Sequence, residues 1–361
     1  MAAEWSIAPS YSASADYDSN RRLAVDGKGS GASVLAVDLL FKRAMEDTQF
    51  TIEPRYAYRR FTDPSLGNGD DRSVNAGFNW LGEQSTVSLT ASYWDQSTLL
   101  TELLETGIVS ADTHRRMSQA GANWIWNQTE RRALITQFSW MDVKYYGGAE
   151  SELPGYKYPS LSVGERFYFN ERGSFTVSAY GSVLQSQTRG NSSHEAGLRG
   201  EFIHAFSERT NLDASIGESS RDLAGKSSRG TDASVTLSRT LFTGKLSLGY
   251  NRSLVPYGFG FLVERQLYSV DFSHGLTPFL DATVSALRIQ NNETAVLLRL
   301  DRRNYNSLTA GLHWHPTETW SVGATIAGIR TQTPDFAGET VSGWHSYINL
   351  TWTPLPTSRS R

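Results

Sequence analysis

The chain is built from stretches of roughly ten residues that read apolar, polar, apolar, polar, about eighteen of them in succession. In the clearest, Trp344, Ser346, Ile348, Leu350 and Trp352 alternate with His345, Tyr347, Asn349 and Thr351. Successive side chains of a strand point to opposite faces, so each stretch has one greasy and one wet side. The pattern repeats at Leu35, Val37, Leu39 and Phe41, at Val87, Leu89, Ala91 and Tyr93, and at Trp320, Val322, Ala324 and Ile326. A soluble sandwich alternates too, so the period alone does not separate it from a membrane barrel.

The connections do. Short ones fall at Met45 to Thr48, Gly82 to Ser85, Asn127 to Glu130, Asn170 to Gly173, Ser207 to Thr210, Phe242 to Lys245, Gly275 to Pro278 and Pro316 to Thr319, all of hairpin-turn composition. Between them lie longer segments: 17–30, 63–71, 95–113, 147–155, 220–230, 253–262 and 289–303. Alternating short and long links are those of periplasmic turns and outer loops. On the apolar face the aromatics crowd beside the short links: Trp80, Trp126, Phe169, Phe206, Phe272, Trp314, Trp320 and Trp352, with Phe41, Phe50 and Phe175. Amphipathic rings favour the headgroup level, whereas a sandwich would bury its largest rings mid-strand, so these residues form a candidate periplasmic aromatic girdle.

The sequence therefore predicts an all-β fold, a closed antiparallel transmembrane β-barrel of about 18 strands with short periplasmic turns and longer extracellular loops, in the bacterial outer membrane. No linker interrupts the rhythm, so residues 1–361 are read as one barrel domain with 353–361 as a C-terminal tail. Mean hydropathy is −0.40, and no run approaches the length of a helical span. The chain has no cysteine, which removes disulfides and thiolate metal sites, and a net charge of −3, which gives nucleic acid no basic surface. Met1-Ala-Ala-Glu-Trp reads as a start methionine before a mature sequence whose signal peptide is absent.

The other parity is small and polar, as at Ser10, Ser12, Ser14, Asn75, Asn79, Ser88, Thr90, Ser178, Ser182, Ser234 and Thr236. Its charges are of both signs: Asp38, Glu53, Arg55, Arg59, Arg166, Glu195, Arg199, Glu201, Asp213, Arg265, Asp271 and Asp281. Trp94, Tyr168, Tyr180 and Tyr347 stand among them, and rings beside hydroxyls suit sugars. The candidate lumen-lining set is Arg55, Arg59, Trp94, Arg166, Tyr168, Tyr180, Arg199, Glu201, Arg265, Asp271, Asp281 and Tyr347. Outward charges at Arg239, His204, Glu218, Arg252, Arg288 and Arg330 lie near strand ends, where interfaces tolerate them. Glu165 has no evident interface unless Pro159 marks a bulge that shifts the parity. Leu99, Leu100, Leu103, Leu104 and Ile108 carry helical spacing, either a constriction inside the lumen or an outer-loop helix, and segment 294–300 poses the same choice.

Other motifs lead nowhere. Gly27, Gly29 and Gly31 precede a strand, so no helix N-terminus completes a phosphate cradle. His313 and His315 share a face without a third metal ligand. His274 with Asp271 is the best catalytic pairing, yet His274 points outward and borders a turn. The Asn-x-Ser/Thr triplets, Asn349 among them, match by composition alone. No enzyme activity, cofactor or metal is called for.

The opening Glu4 to Tyr11 and the hairpins Phe206-Ser-Glu-Arg-Thr-Asn-Leu-Asp-Ala-Ser and Leu276-Thr-Pro-Phe-Leu-Asp-Ala-Thr-Val-Ser resemble the mature start and periplasmic turns of outer-membrane barrels from bacterial exopolysaccharide export systems, of exosortase-associated and WzpX-like type. The resemblance implies export of a secreted polysaccharide through the lumen. Its implied partners are that polysaccharide, outer-membrane lipid and lipopolysaccharide, a periplasmic export protein and an inner-membrane polymerase or co-polymerase. It lends no catalytic residues. One departure is that nine residues follow Trp352, where such barrels end on an aromatic. The alternative is a general or sugar-selective diffusion porin; an outer-membrane enzyme or adhesin is a third reading.

Overall fold

A computed structural model describes residues 4–24, 26–98, 113–147, 153–187, 192–223, 226–257, 260–292, 304–332 and 340–360. Their first strands are β1 Glu4–Asp18, β2 Ser30–Ala44, β3 Thr48–Phe61, β4 Gly69–Leu81, β5 Ser85–Ser97 and β6 Thr113–Thr129. There follow β7 Arg132–Gly147, β8 Tyr156–Asn170, β9 Gly173–Ser186, β10 Ser192–Ser207, β11 Thr210–Leu223, β12 Lys226–Thr240 and β13 Gly244–Tyr257. The last are β14 Phe261–Thr277, β15 Leu280–Asn292, β16 Asn304–Trp314, β17 Trp320–Gln332, β18 Thr340–Trp352 and β19 Thr357–Ser360.

Every strand from β1 to β18 pairs antiparallel with the next, and β1 pairs with both β2 and β18, so the sheet closes on itself. Closure removes the unpaired edge that neither water nor lipid could satisfy in a bilayer. Tyr11 lies opposite Trp352 and Asp18 opposite His345 along the seam, where Tyr11 stacks on Trp352 and Tyr17 lies tilted against Trp344. Beyond Trp352, in the stretch expected to be a tail, β19 continues the seam by pairing Thr357 to Ser360 with Ile7 to Glu4.

The outward parity is apolar and uncovered: Leu35, Leu198, Ile216, Leu308 and Ile348 are each at least 60% exposed. A sandwich would bury such side chains between its sheets, so their exposure fits only a surface that meets lipid. Near the short turns the rings form local stacks, Trp124 on Trp126, Phe169 on Phe202, Phe272 on His274 and Trp320 on Trp352. Glu165 keeps its outward parity, since β8 pairs with β9 in one register on both sides of Pro159 and no bulge intervenes. It lies opposite Leu134, close to the turn, and 3.9 Å from Arg132, whose guanidinium covers Phe167.

Two segments expected to be loops are strand. Residues 220–223 and 226–230 belong to β11 and β12, which pair as far as Leu223 with Lys226, and 253–257 and 261–262 extend β13 and β14. The helical pattern of Leu99 to Ile108 and segment 294–300 lie outside the described residues.

Candidate functional site: the barrel lumen and its outer mouth

Which parity faces inward follows from contacts that skip strands. The Tyr180 hydroxyl on β9 donates to Asp232 on β12, and Arg199 on β10 lies 3.7 Å from the same carboxylate. Side chains separated by two intervening strands meet only on the concave face of a curved sheet. That face is the polar parity of the sequence.

Its charges are assembled in pairs and one larger network. Arg55 reaches Asp38 at 3.1 Å and Arg59 reaches Asp71 at 3.5 Å. Nearer the turns, Arg166 donates to Thr176 Oγ1 and to Glu201 at 3.2 Å. Arg265 donates to Asn291, and Asp271 accepts from Ser285 Oγ at 2.7 Å. Asp281 stands 3.7 Å from His315. Trp94 lies between Ser73 and Met117, and Tyr347 between Asp16 and Thr325. Tyr168 sits opposite Ser174 at the turn end, away from the other rings.

The network is Arg221, only 3% exposed, which contacts Glu195 at 3.0 Å, Asp232 at 2.7 Å and Glu264 at 3.5 Å. Ser219 Oγ adds a bond to Glu195, and Arg252 a second ion pair to Glu264 at 3.1 Å. Burying four charges is tolerable because each carboxylate finds a cation or hydroxyl. Of these residues, sequence reasoning placed only Glu195 in the lumen. It missed Arg221 because residues 220–230 look like a polar loop.

Beside the network the concave face turns apolar. β13 leaves β12 after Arg252, so the end of the β13–β14 hairpin is free of the wall. Leu254 and Leu262 then bury themselves against Val143, Tyr156, Leu184 and Leu223, which belong to β7, β8, β9 and β11. Contact between β14 and β9 means that this hairpin bends inward across the mouth. Gly260 at its tip has φ +77°, and a Cβ there would lie 2.5 Å from Ser186 Oγ and 2.9 Å from Pro154.

A second cover comes from the β1–β2 connection. Leu23, at φ 44° and 2% exposed, packs on Ile289 and Tyr305, with Leu267, Leu287, Ile329 and Val341 alongside. The Ser19 N–H donates to the Trp344 carbonyl, and the Trp344 N–H donates to Ser19 Oγ at 2.8 Å. Arg21 is anchored by Asp16 and lies over Phe61. Hairpin and loop thus cover different arcs of the loop end, and Leu23, Leu223, Leu254, Leu262 and Ile289, which form these covers, fall in segments expected to be polar loops.

Under the hairpin lies an alcove of about 250 Å³ whose side chains include Gln137, Ser139, Tyr158, Tyr180 and Ser182, with Ser253 and Leu254 as roof. The catalytic pairing of His274 with Asp271 does not form: His274 contacts Thr243 on the outer face, while Asp271 faces inward. Among the described residues no three His, Cys, Asp or Glu side chains converge as metal ligands.

No family model matches the sequence. No curated protein matches it either. The fold is similar to solved structures of OccK9 (OpdG) from Pseudomonas aeruginosa, at 12% identity and TM-score 0.55 over 98% of both chains, and of OccAB3 from Acinetobacter baumannii, at 9% and 0.54 over 98% of this chain and 99% of that one. It is also similar to the outer membrane protein opdK from Pseudomonas aeruginosa, at 10% and 0.51 over 98% and 99%. These matches overturn the exopolysaccharide-export resemblance, and with it the export reading: the whole-chain likeness is to Occ and Opd barrels, and the turn motifs behind that resemblance are common to strand-turn-strand barrels at large. At such identities the likeness speaks to fold, and the fold is that of a closed antiparallel barrel of the bacterial outer membrane.

Proposed function

We propose that the protein is a diffusion channel of the porin kind, passing small polar solutes through a lumen narrowed at its outer mouth. The observation that carries this reading is the closed barrel with a concave face of hydroxyls, amides and paired charges, partly covered by the β13–β14 hairpin and the 19–29 loop. Paired charges of both signs along a channel admit polar solutes while binding none of them tightly. The candidate set from Arg55 to Tyr347 lines this path, and the outward belt packs against membrane lipid, with lipopolysaccharide around the loop ends. Barrels of this kind are not enzymes. Purified protein in planar bilayers should give discrete conductance steps, and liposomes carrying it should swell in small polar solutes. Ion-tight bilayers and no swelling would overturn the reading.

A further inference from the structure

We infer that the alcove beneath the β13–β14 hairpin is a binding site for one neutral monosaccharide, which makes the channel sugar-selective. This inference rests on the diffusion-channel reading and names its substrate class. The alcove opens on the concave face between β7 and β10, and its cavity of about 250 Å³ holds roughly eight water volumes, which suits one sugar ring.

Its charges are already spoken for. Asp232 accepts from Arg221 and Tyr180, Glu195 from Arg221 and Ser219, and Arg199 lies against Asp232 with its guanidinium over the Tyr180 ring at 4.5 Å. A charged solute would have to displace one of these partners and leave a buried charge exposed to apolar surroundings. A neutral solute displaces only water.

The remaining surface is dense in groups that both donate and accept. Ser139 and Ser160 share a hydrogen bond of 2.6 Å, Tyr158 donates to Ser182 at 3.1 Å, and the Gln137 amide lies beside them. Each hydroxyl keeps unused acceptor capacity after these bonds. The half-buried Tyr158 ring supplies the flat apolar patch that the C–H face of a sugar covers. Rim hydroxyls of a sugar and a floor of serines are complementary in hydrogen bonding without any ion pair.

The test is single-channel recording on the full chain with D-glucose as the probe, and with benzoate and L-arginine as charged comparators. Millimolar D-glucose should reduce the open current reversibly, and Gln137→Ala and Tyr158→Leu should each raise the half-blocking concentration about tenfold, the loss of one good contact. Open channels that glucose leaves unblocked, that the charged probes block instead, or whose block both variants leave unchanged would overturn the sugar site while the channel reading stands. Absence of channels would overturn the channel reading. In that case saturation-transfer NMR of D-glucose on the detergent-solubilised protein decides the site: transfer lost in Gln137→Ala and Tyr158→Leu supports it, and no transfer overturns it.

Discussion

The Arg221 guanidinium on β11 lies 3.5 Å from the Glu264 carboxylate on β14, although β12 and β13 separate the two strands in the wall. The contact exists because the outer end of the β13–β14 hairpin bends into the lumen, and it ties that hairpin to the neighbouring arc of the wall. Arg221→Met removes the tie and strands Glu195, Asp232 and Glu264 around an apolar side chain. Breaking a buried pair on one side costs on the order of 3–5 kcal/mol. The variant should melt at a lower temperature in detergent, followed by circular dichroism, and should conduct more in the open state.

Gly260 offers a way to move the same hairpin without touching a charge. Its positive φ favours glycine, and the space around it is already filled by Ser186 and Pro154. Gly260→Val should push the tip off β9 and raise single-channel conductance, with little change in melting temperature. Unaltered conductance would mean that the hairpin does not narrow the path.

Leu23 holds the second cover. Leu23→Ala deletes its packing on Ile289 and Tyr305, a loss of about 2–5 kcal/mol for a buried leucine. The cost falls on the loop and not on the wall, since no wall hydrogen bond depends on that side chain. Limited proteolysis of intact cells or proteoliposomes should cut within residues 19–29 faster than in the parent protein, while the barrel stays intact.

Arg166 and Glu201 form the charge pair nearest the turn end of β8 and β10. Arg166→Ala leaves the carboxylate alone on the concave face and should shift selectivity towards cations; Glu201→Ala should shift it towards anions. Reversal potentials across a salt gradient read both signs directly, and the effect should weaken as salt screens it.

Trp352 stacks on Tyr11 at 5.4 Å and on Trp320 at 6.0 Å, so it clamps the seam from both sides. Trp352→Ala forfeits two ring contacts of about 0.5–1.5 kcal/mol each. The temperature at which the folded form disappears on unheated SDS gels should fall.

The wall of this barrel was legible from period two together with the alternation of short and long links, because lipid demands an apolar residue at every second position and the short turns keep a hairpin composition. The outer third was not. Strands β1 to β18, of 11–17 residues, exceed the roughly ten that cross the hydrocarbon, and their projecting ends escape that demand. Ser220, Arg221 and Asp222 therefore read as loop although they are paired strand. Leu254 and Leu262 were harder still: the sequence put both in the 253–262 loop, the strand parity observed there points outward, and only the departure of β13 from β12 turns them in. The aromatic residues near the turns stood out because rings recur beside most of the short links.

The seam has a consequence for biogenesis. Ser10 Oγ meets Thr353 Oγ1 at 3.3 Å across 343 positions of sequence, so the first strand acquires its partner on the β18 side only after all the strands between them have been made. Until then the first strand offers a bare ribbon of amides to any chain it encounters. Transit to the membrane must therefore be escorted, and although sequence-adjacent strands can pair in order, the seam is the last contact to form.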